Sequence, residues 1–305
     1  MLTDKYKKEF ISAYNVTDGV ATIIKNIQEV ETETNIPLVK WNLVELSKFF
    51  EKIDSISPAT FSKKFIILRS FGRFIAEKEG IKYNELSMEN IDYFDLINKD
   101  KLLASILSKA QYEEILHKLD EKYGRNTNSR NKLLLELAWE GLTAEEMKLL
   151  KMTDIEFKDD IAILHLKDGK DLMVDNQRTI EDMKLCIHEH SGVQIDKNDM
   201  VKSMPYRSSE YLLKPFASGR SALKAEYIGN PQATFRNIFR NSINCKGIDM
   251  ESLSLQDVRR SKLIFLLSDK GDLDVNFVSI IFGITNSSSL LWLERIAEEK
   301  YKINK

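Results

Sequence analysis

A chain of 305 residues with 43% hydrophobic and 30% charged residues has room for two packed cores and is too apolar and too mixed in pattern for a disordered or fibrous protein. Its 45 Lys and Arg against 47 Asp and Glu leave a net charge of -2, which taken alone argues against a polyanion partner. Cys186 and Cys245 lie far apart without a C-x-x-C pattern, which argues against a disulfide framework and a structural zinc site.

The opening, "MLTDKYKKEFISAY", lacks the apolar middle of a signal peptide, and no apolar run nears the roughly 18 residues of a membrane span. The expected location is therefore the cytoplasm, with no membrane partner. Residues 1 to 100 read as a helical domain. "NLVELSKFFEKI" sets Leu43, Leu46, Phe49 and Phe50 at helical spacing, and "SPATFSKKFIILRSFGRFIAEKEG" aligns Phe61, Phe65, Leu68, Phe71 and Ile75 on one stripe. Ser57 and Pro58 make a cap and first-turn pair, and Gly80 a stop. The polar "INKDK" separates this part from a second domain, residues 101 to 305.

The second part opens with helices near 108–122, 127–140 and 143–151, the first behind a Ser108 cap. The period then changes. Ile155 and Phe157, then Ile161, Ile163 and His165, alternate, and Asp168-Gly169 suits a tight hairpin, so an antiparallel sheet of about three strands is expected. Helices are expected again at 178–190, 208–214, 231–245 and 255–268, and in "VNFVSIIFG" and "SSLLWLERIAEEKY". The fold class is mainly α with a small antiparallel β-sheet.

The average charge conceals two basic stretches. Residues 201–262 hold 11 Lys and Arg against 5 acids, and residues 55–78 hold 5 basic residues against one acid, a footprint that a polyanion can use. In the first domain the cations are Lys63, Lys64, Arg69 and Arg73. In "NPQATFRNIFRNSINCK" the apolar Phe235, Ile238 and Phe239 leave Gln232, Thr234, Arg236, Asn237 and Arg240 on the other side. Guanidinium and amide groups of that kind pair with guanine and adenine edges in a major groove, so this segment reads as a recognition helix. His188 and His190 have no third ligand in view, and neither metal nor cofactor is expected. Trp139 and Trp292 read as core.

The segments "NSRNKLLLELAWEGLTAEEMKLLKMTDIEF" and "SLQDVRRSKLIFLLSDKGDLDVNFVSIIFGITNSSSLLWLERI" resemble, in order, the catalytic domain of the tyrosine recombinases, the phage integrase family, and "SPATFSKKFIILRSFGRFIAEKEG" is similar to the family's core-binding domain. The resemblance implies a two-domain clamp on double-stranded DNA. It also implies a tyrosine nucleophile, two arginines and histidines at the scissile phosphate, and a lysine on the sheet hairpin. At those positions this chain holds Thr143 for the first arginine, Gln256 for the histidine before the second, Ile284 for the histidine or tryptophan and Leu293 for the tyrosine. Arg259 keeps the second arginine, Arg260 follows it, Glu146 keeps the motif's acid, and Lys167 or Lys170 keeps the hairpin lysine. Thr143 with Glu146 three residues on has a local explanation as a helix capping box.

These losses lead to the expectation that the chain is not an enzyme and that Arg259 and Arg260 grip phosphate without reacting, an ion pair of Arg259 with Glu146 or Asp257 being the alternative. The expected function is a sequence-specific transcriptional regulator bound to operator sites, similar in plan to the lysogeny repressors of SPβ-like Bacillus phages. A recombinase with a relocated nucleophile at Tyr301 or Tyr211 and an accessory protein that does not touch DNA are the alternatives. The amphipathic "LLWLERIAEEKYKINK" suggests a homo-oligomer through the C-terminal helix, and a protein or peptide antagonist is a further expected partner.

Overall fold

The computed structural model describes residues 2–13, 18–53, 58–83, 99–167, 169–195, 201–217, 227–239, 245–270, 278, 281–283 and 287–301. The chain divides into two compact units, Met1–Leu102 and Leu103–Lys305. The division falls inside a short helix, Lys99–Ala104, two residues beyond the boundary expected from the polar "INKDK". Among the described residues no helix is long and apolar enough to cross a membrane.

The first unit is built from α1 (Leu2–Ala13), α2 (Asp18–Thr34), α3 (Leu43–Ile53) and α4 (Pro58–Glu79). Phe61, Phe65, Leu68, Phe71 and Ile75 of α4 are all 1% exposed or less, as their spacing requires. The Phe61 ring stacks on Phe50 of α3 with centroids 4.0 Å apart. Gly80, at φ 64°, ends α4 in the left-handed region that a glycine enters at low cost. Leu43 departs from the expected stripe and is 52% exposed. It occupies the first helical position after the cap Asn42, whose Oδ1 accepts from Val44 N at 2.7 Å, so the buried line of α3 starts one turn later at Leu46.

The second unit is mainly helical with two small antiparallel sheets. Following the helix Lys99–Ala104, which we label α5, come α6 (Lys109–Tyr123), α7 (Ser129–Glu140), α8 (Ala144–Leu149), β1 (Ile155–Lys158), β2 (Ile161–His165), β3 (Asp171–Val174), α9 (Gln177–His188), β4 (Ser191–Ile195), β5 (Val201–Pro205), α10 (Pro231–Phe239), α11 (Leu255–Lys270) and α12 (Ser287–Tyr301). Ser108 caps α6 as expected, its hydroxyl accepting from Gln111 N at 3.2 Å while Ser108 N donates to Gln111 Oε1 at 2.9 Å.

The first sheet runs β1-β2-β3 with the alternation expected of a sheet covered on one side. The period was legible, but on β2 the face is the opposite one. Ala162 and Leu164 are buried, opposite Phe157 and Ile155 of β1, and Ile161, Ile163 and His165 lie on the more open side. The helix expected at 208–214 is extended chain. Leu212 N donates to Leu150 O at 2.9 Å and Met152 N to Glu210 O at 2.8 Å. Tyr211, Leu212 and Leu213 are buried in succession, which one face of a surface helix does not allow. The β4–β5 hairpin, Ser191 opposite Pro205 through Ile195 opposite Val201, was not expected.

The centre of this unit is α7, whose residues Ser129 to Trp139 are all buried. Its charges are paired inside the core. Lys132 and Asp182 are each fully buried and lie 3.8 Å apart, and Lys132 also meets Asp120 at 3.1 Å. Glu136 pairs with Arg178 at 3.0 Å, and Arg125 reaches Asp182 at 2.6 Å. Burial, and after it the neighbouring Asp182, push the Glu136 carboxyl well above its ordinary range.

A carboxyl raised in this way holds its proton more tightly folded than unfolded. Its contribution to stability is complete below the ordinary value of 4.5 and is lost as pH climbs toward the raised folded value. Glu136→Gln, which fixes the neutral form at nearly the same shape, should flatten the decline of urea stability as pH rises above 4.5 and change stability below that pH by no more than about 1 kcal/mol. A variant as pH-sensitive as the parent would show that Glu136 is charged when folded.

Candidate nucleic-acid interface

In the first unit the expected cations on α4 divide into two pairs. Lys63 and Arg73 are exposed, while Lys64 and Arg69 are half-buried. The Lys64 amine donates to Ile53 O at 2.9 Å, and the Arg69 guanidinium lies 5.8 Å from the Phe65 ring centroid. Lys64 thus ties α4 to the end of α3 and Arg69 lies along α4 itself, so Lys63 and Arg73 are the more outward of the four expected cations. Ile66 lies on the same side as Lys63 and Arg73 and is 61% exposed.

In the second unit α10 rests on Phe235 and Phe239, both fully buried and stacked with centroids 4.2 Å apart. Arg236 and Asn237 are exposed. Two other expected contacts are engaged within the fold. The Gln232 Oε1 accepts from Leu255 N at 2.9 Å and its Nε2 is buried, so this side chain secures the start of α11. The Thr234 hydroxyl donates to Asn230 O at 3.1 Å within its own helix. Arg240 and Ile284 lie outside the described residues, as does Asp168 in the expected hairpin turn.

A cleft of ≈390 Å³ opens between α8, the β2–β3 hairpin and α11. Thr143 is at its wall and forms the capping box read from the sequence. Its hydroxyl accepts from Glu146 N at 3.2 Å, and Thr143 N donates to Glu146 Oε2 at 2.6 Å. The hairpin contributes Leu166, Lys167 and Lys170. It is closed by Leu166 N donating to Lys170 O at 2.8 Å, and Lys167 and Lys170 have no carboxylate partner among the described residues. His165, also at the wall, meets Asp171 at 2.8 Å and Glu156 at 3.7 Å.

Arg259 reaches the cleft from α11 in a role that differs from the two expected. Its Nε donates to Gly141 O at 2.5 Å and its Nη2 to Ile281 O at 2.9 Å, and its guanidinium lies 5.4 Å from the Phe282 ring centroid. Among the described residues no carboxylate is hydrogen-bonded to it or within ion-pair distance, which corrects the expected ion pair with Glu146 or Asp257. Two of its three nitrogens staple backbone carbonyls, and Nη1 has no partner among the described residues. Burial pushes this guanidinium below its ordinary range, with Glu146 acting in the opposite sense. Arg260, expected to grip phosphate, pairs with Asp257 at 3.1 Å one turn back on α11.

Gln256 is exposed on α11. Leu293 is 5% exposed within α12, together with Leu290, Ile296 and Ala297, and α12 packs on α11. The apolar stripe from which an oligomer was expected is thus covered within the chain, leaving Leu291 at 61% exposure. Tyr211 is 8% exposed. The Tyr301 hydroxyl is buried without a hydrogen-bond partner among the described residues, and burial raises its pKa, opposite to the shift that activates a nucleophile. Trp139 is core, its ring stacked on Tyr112 at 4.2 Å. Among the described residues no group of three metal-ligating side chains converges.

No family model and no curated protein matches the chain. Among solved structures it is similar to a XerH site-specific recombinase bound to palindromic difH substrate in a post-cleavage complex, at 17% identity and TM-score 0.45 over 91% of this chain and 74% of that one. It is similar to a Tn1549 transposon integrase in complex with transposon right end DNA, at 13% identity and TM-score 0.46 over 99% of both chains. It is also similar to a lambda integrase dimer bound to a COC' core site, at 13% identity and TM-score 0.43 over 96% of this chain and 94% of that one. The expectation that the chain is not an enzyme is corrected by these comparisons. The structures it is similar to are a recombinase and integrases, and the motif positions it lacks do not establish inactivity.

Arg259→Ala removes the donor of two backbone carbonyls, and each carbonyl left unpaired costs about 1–3 kcal/mol. Thr143→Ala removes one cap, at about 1 kcal/mol. Urea denaturation of the two variants should rank Arg259→Ala as the more damaging, and equal losses would refute the staple.

Proposed function

We propose that this chain is a sequence-specific double-stranded DNA-binding protein and that it acts as a transcriptional regulator of the repressor kind by occupying operator sites. The observation that carries the reading is the outward face of α10. Arg236 and Asn237 stand exposed on a helix anchored by the fully buried Phe235 and Phe239. A guanidinium and an amide held on a rigid helix are the groups that pair with guanine and adenine edges. Lys63 and Arg73 on α4, and Lys167 and Lys170 on the β2–β3 hairpin, supply cations for phosphate, which position a protein on a duplex without reading it. The setting of lysogeny control rests on the resemblance in plan to phage repressors.

The test is selection from a pool of random duplexes at near-physiological salt, with the retained complexes denatured to look for a covalent band. Enrichment of one motif supports a specific binder, and retention without a motif refutes the recognition face. A covalent band would show strand-joining chemistry and refute regulation by occupancy alone.

If six phosphates are contacted, log affinity should fall against log salt with a slope of roughly -5. Arg236→Ala should cost about 1–3 kcal/mol at the preferred site and relax its sequence. Lys63→Ala should weaken all sequences alike and make the salt slope shallower by about 1. Identical, uniform losses in both variants would exclude α10 as the reading helix.

A further inference from the structure

We infer that Glu136 of α7 and Asp182 of α9 hold one proton between them in the core of the second unit, and that this shared proton is a latch that joins the two helices and is released as pH rises. The inference is independent of what the chain binds.

The geometry is a two-rung ladder. Lys132 and Glu136 stand one turn apart on α7, and Arg178 and Asp182 one turn apart on α9. Lys132 faces Asp182 at 3.8 Å and Glu136 faces Arg178 at 3.0 Å. Both carboxyls are fully buried, and each gives one oxygen to a cation. Glu136 Oε1 accepts from Arg178 Nε at 3.0 Å, and Asp182 Oδ1 accepts from Arg125 Nη1 at 2.6 Å. The second oxygen of each, Glu136 Oε2 and Asp182 Oδ2, is buried without a donor among the described residues, yet the two carboxyls are hydrogen-bonded to each other. Ionised carboxylates only accept. A hydrogen bond between the two therefore needs a proton on one of them, and that proton serves both remaining oxygens.

The charges around the pair lead to the same count. Asp120 of α6 meets Lys132 at 3.1 Å and Arg178 at 2.9 Å, and Glu181 of α9 meets Arg125 at 3.0 Å. The four carboxyls of Asp120, Glu136, Glu181 and Asp182 thus face the three cations Arg125, Lys132 and Arg178, and one proton leaves the array neutral. Tyr112 of α6, a phenol raised by burial, also faces it, and Glu140 at the end of α7 lies near Lys262 of α11.

Two carboxylates in contact in a dry core repel, so only one of them ionises readily. The proton belongs to the pair as a whole. Its release to solvent sets Glu136 against Asp182 and favours separation of α9 from α7.

The experiment is infrared spectroscopy of the full chain against pH, taken as parent minus Glu136→Gln to isolate the Glu136 carboxyl, and repeated with both chains carrying Asp182→Asn. The C=O band of a protonated carboxyl is expected to persist above the ordinary value of 4.5. With Asp182→Asn it should fade at least about one pH unit lower, because an amide does not repel the ionised form. Amide hydrogen exchange over α9 reads the latch itself. From pH 4.5 up to the fading of the band, protection in the parent should fall about tenfold per pH unit more steeply than in Glu136→Gln, the slope of one proton released on opening. Absence of the band in the parent would overturn the proton, and a band that fades at the same pH with Asp182→Asn would overturn its being shared. Equal exchange slopes in the parent and Glu136→Gln would overturn the latch, a comparison that does not depend on Asp182→Asn folding.

Discussion

A helix buried on every side must bring its own charges into the core with partners, and the second unit is organised around that requirement. Ser129–Glu140 carries Arg130, Lys132 and Glu136 inward, and each is met by a group from elsewhere. Asp120 comes from α6, Arg178 and Asp182 come from α9, and the Tyr206 and Phe216 rings flank the Arg130 guanidinium at 5.2 and 4.4 Å. Each pairing is costly to break and modest in net gain. Its effect is to specify which helix packs where, since any other arrangement strands a charge.

The two ends of that helix show how the same constraint reaches the surface. At the N-terminus the Glu189 carboxylate accepts from Ser129 N at 2.8 Å, an anion placed where orphan N–H groups and the helix dipole both favour one. At the other end Gly141, at φ 110°, turns the chain toward α8, and its carbonyl is taken by Arg259. A Cβ at Gly141 would stand 2.8 Å from Ile281 Cγ2, so the residue is fixed by its conformation and by its neighbour. The guanidinium at the cleft wall is therefore tied to the end of a core helix.

Much of the fold was legible because apolar spacing decides which face of a helix is buried. The α4 stripe, the Ser108 cap and the Thr143–Glu146 box are local patterns, and local patterns survive folding. What stayed hidden depended on distant partners. Nothing near Gln232 announces that its amide oxygen will meet Leu255 N, and nothing near Arg259 names Gly141 and Ile281 as its acceptors. The period of β2 was legible, but not that packing under α9 would take the small Ala162 beside Leu164 as its buried face. The β4–β5 hairpin was missed because "SGVQI" has only two apolar residues and a Gly192 whose lack of a side chain accommodates the Tyr206 ring.

Gln232 joins the first turn of α10 to the first residue of α11, and Arg259 sits one turn further along α11. The exposed pair Arg236 and Asn237 and the wall of the cleft thus stand on neighbouring helices tied at their starts by a side-chain amide–backbone hydrogen bond, so Gln232→Ala would leave the first N–H of α11 without that acceptor.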